Sequence, residues 1–292
     1  MTADGPLISV AELVDGLGDP ALRVVDTRWV LGQPGAGRAA YLTGHVPGAI
    51  HVDVDEDLAD LSSLAGPDRR GRHPLPDPAA FAARLGALGI GDRHRVVAYD
   101  DVGGWVAARL WWMLDSLGHR AVAVLDGGIG AWTAAGQPLV TDVPAWPSEQ
   151  LKLAGSWSRT IERDALRARL GSVVLLDARA APRYRGEIEP IDAVAGHIPT
   201  ARNAPTDGNL VAAGGRFLDG PQLAARFAGL GADGAAGEVV TACGSGVAAC
   251  HNALAMRVAG LPDPLVYIGS YSDWTQNGFP VAVGSEPGEP PR

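Results

Sequence analysis

Cys243 is one of two cysteines in a chain of 292 residues, and its neighbours are those a reactive thiol needs. The stretch Thr241-Ala242-Cys243-Gly244-Ser245-Gly246-Val247-Ala248-Ala249 follows Glu238-Val239-Val240, a short β-branched run that reads as a buried strand. It precedes Cys250 to Val258, whose apolar spacing reads as a helix. A cysteine therefore falls where a strand turns into a helix, with small residues and two glycines after it. Glycine lets such a turn tighten, so that several backbone N–H groups point at one spot. The helix N-terminus adds partial positive charge at the same place. A thiol there is expected to ionise more readily than a free one, and the loop would hold an anionic sulfur or a small anion bound to it. A lone cysteine is commonly a small buried hydrophobe. The joint presence of strand, Cys, Gly-x-Gly and helix argues for the reactive role.

The elements that must position this loop occur twice. Val10 to Leu17 reads as a short helix, and Leu22 to Arg28 as a strand ending in a polar turn. Gly44-His45-Val46-Pro47-Gly48-Ala49-Ile50 is a turn into another strand. Pro78 to Leu88 reads as a helix, Arg95 to Tyr99 as a strand, Trp105 to Leu117 as a helix and Ala121 to Leu125 as a strand. The second half repeats the order. Val173 to Arg179 answers the first strand, and Gly196-His197-Ile198-Pro199 answers Gly44 to Pro47. Val239-Val240-Thr241 answers Val96-Val97-Ala98, and Trp274, Gly278 and Pro280 answer Trp132, Gly136 and Pro138. The offset of about 142 to 152 residues is too long for a solenoid and marks a duplicated domain.

Strands alternating with helices predict an α/β fold: two tandem domains, each a parallel sheet with helices on both faces. The expected boundaries are 1–140 for the N-terminal domain, 141–156 for a linker containing Pro144 and Pro147, and 157–292 for the C-terminal domain. Aligned on Gly103 and Gly246, the position of Cys243 is taken by Asp100 in the first half. A carboxylate is a poor sulfur carrier, so only the second half is expected to be active. Features shared by both halves are read as scaffolding: His45 and His197 in their Gly-His turns, and Asp26 with Arg28 and Asp177 with Arg179 at strand ends.

Composition narrows the function. The formal net charge is −9 and no basic run appears, which argues against nucleic acid. Any anion site must then be made locally. No apolar run approaches a membrane span, and the start Met1-Thr2-Ala3-Asp4-Gly5-Pro6 lacks the basic and apolar stretches of a signal peptide. With only Cys243 and Cys250, no disulfide framework is indicated, and the expected setting is the reducing cytoplasm. Cys243, Cys250 and His251 have poor metal-ligand spacing, and no cofactor motif is present, so neither metal nor cofactor is expected.

The specific residues resemble a known family. Asp177-Ala178-Arg179, Arg183-Tyr184-Arg185-Gly186-Glu187, Gly196 to Pro199, Cys243 to Ala249 and Gly269-Ser270-Tyr271-Ser272-Asp273-Trp274 together look like a tandem-domain sulfurtransferase of the rhodanese and 3-mercaptopyruvate sulfurtransferase superfamily. The resemblance implies an inactive N-terminal domain and an active C-terminal one. It implies that Cys243 takes sulfur from a small anionic donor, becomes a persulfide, and passes the sulfur to cyanide or a thiol, including that of a thioredoxin-like protein. Gly244, Gly246, Val247 and Ala248 would frame the donor. The family's mercaptopyruvate enzymes carry Cys-Gly-Ser-Gly, as here, and its thiosulfate enzymes carry basic residues in the loop. That places 3-mercaptopyruvate ahead of thiosulfate. In the first group the serine works with an aspartate and a histidine of the first domain; similar positions here are Ser245, Asp55 and His73. Arg183 resembles the arginine that grips the donor's carboxylate or sulfonate. A second arginine usually follows the next Glu-Pro, yet Glu189-Pro190 is followed by Ile191-Asp192. Arg185 is a nearby candidate to substitute, but nothing in the sequence marks it for that role.

Two other classes compete. A phosphatase on a similar fold needs an arginine closing the cysteine loop, whereas this loop ends in Val247-Ala248-Ala249. A non-catalytic persulfide carrier would share the cysteine but show negligible turnover with small donors.

Overall fold

In a computed structural model, residues 5–65, 70–211, 215–235 and 237–291 are described. Contacts divide the chain into two compact units. The first comprises Met1–Ala59, Pro76–Ser158 and Leu210–Phe217; the second comprises Asp60–Leu75, Arg159–Asn209 and Leu218–Arg292. The expected linker, 141–156, falls within the first unit, and neither unit is one continuous piece of chain.

The first unit is built on β1 (Leu7–Ile8), β2 (Leu22–Asp26), β3 (Ile50–His51), β4 (Arg95–Tyr99) and β5 (Val122–Leu125), ordered β1-β5-β4-β2-β3 with every pair parallel. The second is built on β6 (Val174–Asp177), β7 (Arg202–Asn203), β8 (Val239–Ala242) and β9 (Leu265–Val266), ordered β7-β6-β8-β9 and again parallel. A parallel bridge from Thr160 to Val266 stands where β1 stands in the first unit. Central strands of such sheets are covered on both faces and so read as unbroken apolar runs; β2 is buried along its whole length.

Side chains cap the starts of the helices. Asp77 accepts from the amides of Ala79 and Ala80, with Pro78 in the first turn, so the helix Pro78–Ala87 starts there. Asp219 and Gln222 form a reciprocal capping box on Gly220–Gly229. The helix predicted from Trp105 begins later, at Ala107. The cause is Asp100, whose Oδ2 accepts the amides of Val106 and Ala107 at 2.8 and 3.0 Å.

The duplication extends to single hydrogen bonds. His45 Nδ1 lies 2.8 Å from the Tyr41 carbonyl, and His197 Nδ1 lies 2.8 Å from that of Tyr184. Each ring stacks on its tyrosine, with centroids 3.9 and 3.8 Å apart. Arg28 donates to both oxygens of Asp26 and to the Gly44 carbonyl; Arg179 does the same to Asp177 and Gly196. Trp132 and Trp274 each donate from Nε1 to the carbonyl of Pro138 or Pro280. All of these side chains are buried in both halves, as scaffolding requires.

Candidate active site

Registers fix the position of Cys243. Ala242 at the end of β8 pairs with Asp177, as Tyr99 pairs with Asp26 in the first unit, so Cys243 and Asp100 are equivalent. The Cys243 carbonyl accepts the Tyr271 amide at 3.0 Å, and the Gly244 carbonyl accepts that of Ser272 at 2.9 Å. The start of the last helix, Ser270–Gln276, is thereby tied to the loop. The Gly246 amide donates to Cys243 Sγ at 3.1 Å. Gly246 has φ +79°, and a Cβ there would collide with the Ile268 carbonyl. Only glycine aims its amide at the sulfur from that position. Cys243 is 3% exposed, and in such a setting each fixed dipole acts strongly on the sulfur. The loop continues through Val247 and Ala248, whose carbonyls accept the amides of Cys250 and His251, each at 3.1 Å. Cys250 is fully buried, with Sγ 3.3 Å from the Gly246 carbonyl, and the two thiols are not joined in a disulfide.

Ser270 was quoted in the sequence motif without a role of its own. Its hydroxyl donates to the Tyr267 carbonyl at 2.7 Å and accepts the Cys243 amide at 3.0 Å. It has φ +54°, a conformation a side chain rarely adopts, and the equivalent residue in the first unit is Gly128 at φ +56°. Strain of this kind persists where the surroundings demand it. Here it places a hydroxyl on the Cys243 amide. Replacing Ser270 with glycine should relieve about 1–2 kcal/mol of strain while leaving the buried Cys243 amide without its acceptor, at a cost of about 1–3 kcal/mol. The expected result is a nearly unchanged melting temperature with a clear loss of kcat/KM; calorimetry and steady-state kinetics on the same preparation check it.

Of the sequence-predicted partners, the structure brings His73 and Ser245 together. His73 Nδ1 is 2.7 Å from Ser245 Oγ. They lie 172 residues apart in the chain, yet both belong to the second unit because segment Asp60–Leu75 does. Asp55 belongs to the first unit, in the helix Val54–Asp57, where its Oδ2 accepts Trp29 Nε1 at 2.9 Å. Its neighbours are structural: Asp53 caps that helix, and Asp57 pairs with Arg84.

Arg183 reaches the loop, 3.6 Å from where a Gly244 Cβ would stand. It is ion-paired with Glu189 at 2.7 Å and with Asp192 at 3.3 Å. Burial pushes the Glu189 carboxyl up, but the Arg183 bond and the amides of Asp192 and Ile191 outweigh it and hold the group below the usual range. Burial pushes Asp192 up, against the pull of Arg72. Both carboxylates lie on a segment the first half lacks: Tyr41 and His45 are four residues apart, Tyr184 and His197 thirteen. Arg185, the nearby candidate for a second arginine, pairs with Glu187 at 2.6 Å on the surface. Arg72, which sequence reasoning missed, pairs with Asp192 and comes nearer to Gly244 than Arg183 does.

The equivalent loop of the first unit is closed by its own side chain. Asp100, with no exposed surface, accepts the amides of Val102 and Gly104 on Oδ1 at 3.0 and 2.8 Å, in addition to the two on Oδ2. Burial raises its carboxyl and the four amides pull against that. One loop geometry thus surrounds a carboxyl group in one unit and a sulfur in the other.

The Rhodanese-like domain model matches residues 9–135 and 162–277, one stretch in each half. The chain belongs to the rhodanese-like family. Similar proteins include a probable 3-mercaptopyruvate sulfurtransferase from Pseudomonas aeruginosa, 44% identical over 285 residues covering 95% of this chain and 98% of that one. A putative thiosulfate sulfurtransferase, SseB, from Mycobacterium tuberculosis is 40% identical over 276 residues, covering 93% and 94%. Among solved structures, 3-mercaptopyruvate sulfurtransferase from Leishmania major superposes with a TM-score of 0.81 at 29% identity, covering 95% of this chain and 76% of that one. The fold expected from sequence, two rhodanese-like domains with parallel sheets flanked by helices, is therefore borne out, and the chain is a sulfurtransferase. Among the described residues of this sulfurtransferase, no helix is long and apolar enough to cross a membrane, and no group of three or more His, Cys, Asp or Glu residues could hold a metal ion.

Proposed function

We propose that this sulfurtransferase moves sulfur from 3-mercaptopyruvate, and more slowly from thiosulfate, to cyanide or a thiol through a persulfide on Cys243. The observation that carries the reading is the 3.1 Å bond from the Gly246 amide to Cys243 Sγ, at a strand-to-helix turn beside two guanidinium groups. In the first half-reaction the Cys243 thiolate attacks the donor sulfur and a new S–S bond forms. With 3-mercaptopyruvate the C–S bond breaks, and its electron pair leaves on the enolate of pyruvate, which then takes a proton. With thiosulfate the donor's S–S bond breaks and sulfite leaves. In the second half-reaction the acceptor attacks the outer sulfur and the Cys243 thiolate is restored. Thiocyanate or a new persulfide is the product, and a thioredoxin-like thiol fits the acceptor role. A cytoplasmic setting suits a thiol that must stay reduced between turnovers.

The proton needed by the enolate supports the order of donors. Ser245 and His73 stand in hydrogen-bond contact in the unit that carries Cys243, where they relay a proton to the leaving carbon. Asp55 enters from the family resemblance alone, as the aspartate of that group's relay. Gly244, Gly246, Val247 and Ala248 frame the donor, and Arg183 binds its anionic end. His73→Ala and Ser245→Ala should each lower kcat/KM for 3-mercaptopyruvate by about 10²–10⁴-fold and spare thiosulfate, whose leaving sulfite needs no carbon protonation. Parallel kinetics with both donors decide the matter. Equal losses for the two would remove the relay, and a wild-type preference for thiosulfate would reverse the order of donors.

A further inference from the structure

Two guanidinium groups converge on the residue that follows the nucleophile. A Cβ at Gly244 would lie 2.9 Å from Arg72 Nη2, 3.6 Å from Arg183 Nη1 and 3.9 Å from Arg183 Nη2. Both arginines keep partial exposure, their side chains 20% and 17% accessible, whereas the carboxylates behind them, Asp192 and Glu189, are 4% and 3% accessible. Asp192 divides its oxygens between them, Oδ1 to Arg72 and Oδ2 to Arg183, which fixes the pair side by side. Arg72 Nε is buried and has no hydrogen-bond partner among the described residues.

The placement of Arg72 is built in. Gly71, at φ +84°, lies flush on the last helix, where a Cβ would collide with the Gly269 carbonyl. The Arg72 amide donates to Ser272 Oγ at 3.1 Å, and the next residue, His73, reaches Ser245. Ser272 is in turn bonded to the Gly244 carbonyl. This short segment is thus anchored on both sides of Arg72 to the loop that carries the sulfur. Guanidinium groups held this way match the planar oxygens of a carboxylate or sulfonate.

We infer that Arg72 is a donor-binding residue of this sulfurtransferase, the second cation that with Arg183 takes the anionic end of the sulfur donor over Gly244. The inference rests on the persulfide reading. It means that the charge absent from the cysteine loop is supplied by a segment far away in sequence, and that Asp192 is a positioning residue rather than a ligand.

The two half-reactions separate this role from a structural one. Arg72→Ala and Arg72→Lys are assayed with 3-mercaptopyruvate and with thiosulfate as donors. Persulfide-loaded enzyme is then discharged in single turnovers by 2-mercaptoethanol, which carries no anionic group. Arg72→Ala should lower donor kcat/KM by about 10–100-fold, chiefly through KM. Arg72→Lys should recover part of the loss, and discharge should keep its rate. An unchanged donor kcat/KM overturns the inference, as does equal slowing of both half-reactions or a fall in melting temperature that tracks the activity. Persistence of transfer in Cys243→Ala would instead overturn the reading beneath it.

Discussion

Replacement of Cys243 by alanine should abolish transfer from either donor, by about 10⁴-fold or more, because a covalent route loses its only attacking atom. The fold should survive. The residue is small and its Cβ is kept, its amide remains on Ser270 and its carbonyl on Tyr271. The melting temperature of Cys243→Ala should therefore stay close to that of the parent. Cys250→Ala is the matched control. Cys250 donates to the Gly246 carbonyl from the first turn of the helix and makes no contact with the donor in this account, so the variant should retain transfer, with a modest stability loss of about 1 kcal/mol. Cyanide-dependent thiocyanate formation, measured on both variants beside the parent, separates the thiols. An inactive Cys250→Ala beside an active Cys243→Ala would reverse the assignment.

Asp100→Ala should act on stability and leave chemistry alone. The substitution strips four amides, those of Val102, Gly104, Val106 and Ala107, of their common acceptor. A buried donor left without a partner costs about 1–3 kcal/mol, and water or anions entering the gap offset part of the sum. A net loss of about 3–5 kcal/mol is expected, with the melting temperature lower by roughly 10 °C. Asp100→Asn keeps the shape but replaces one acceptor oxygen with an NH2 donor, and should fall between. Added chloride or sulfate should raise the melting temperature of Asp100→Ala more than that of the parent, since the emptied loop is an anion cradle. A melting temperature unmoved by Asp100→Ala would show that the carboxylate does not hold the loop together.

The scaffold was legible because its signals are local. Parallel strands buried on both faces read as apolar runs, and the predicted strand Arg95 to Tyr99 is the observed one. The Gly-His turns and strand-end Asp-Arg pairs recur with the same hydrogen bonds because the duplicated fold needs them at the same places. What escaped was non-local. Arg72 reads as one charge in the polar run Arg70-Gly71-Arg72, and nothing there indicates that it meets Gly244 and Asp192. Looking for a second arginine near Arg183 therefore led to Arg185, which is engaged by Glu187. Ser270 was visible within its motif, but not the positive φ that turns its hydroxyl onto the Cys243 amide. Asp100 reads as the absence of a thiol; its four amide bonds make it an occupant of the loop.

The most direct test is mass spectrometry of the intact protein after brief exposure to each donor without acceptor, followed by peptide mapping. The account predicts a gain of one sulfur atom, located on the peptide containing Cys243, removed by cyanide and absent from Cys243→Ala. Sulfur transfer that proceeds while Cys243 never gains mass would contradict it.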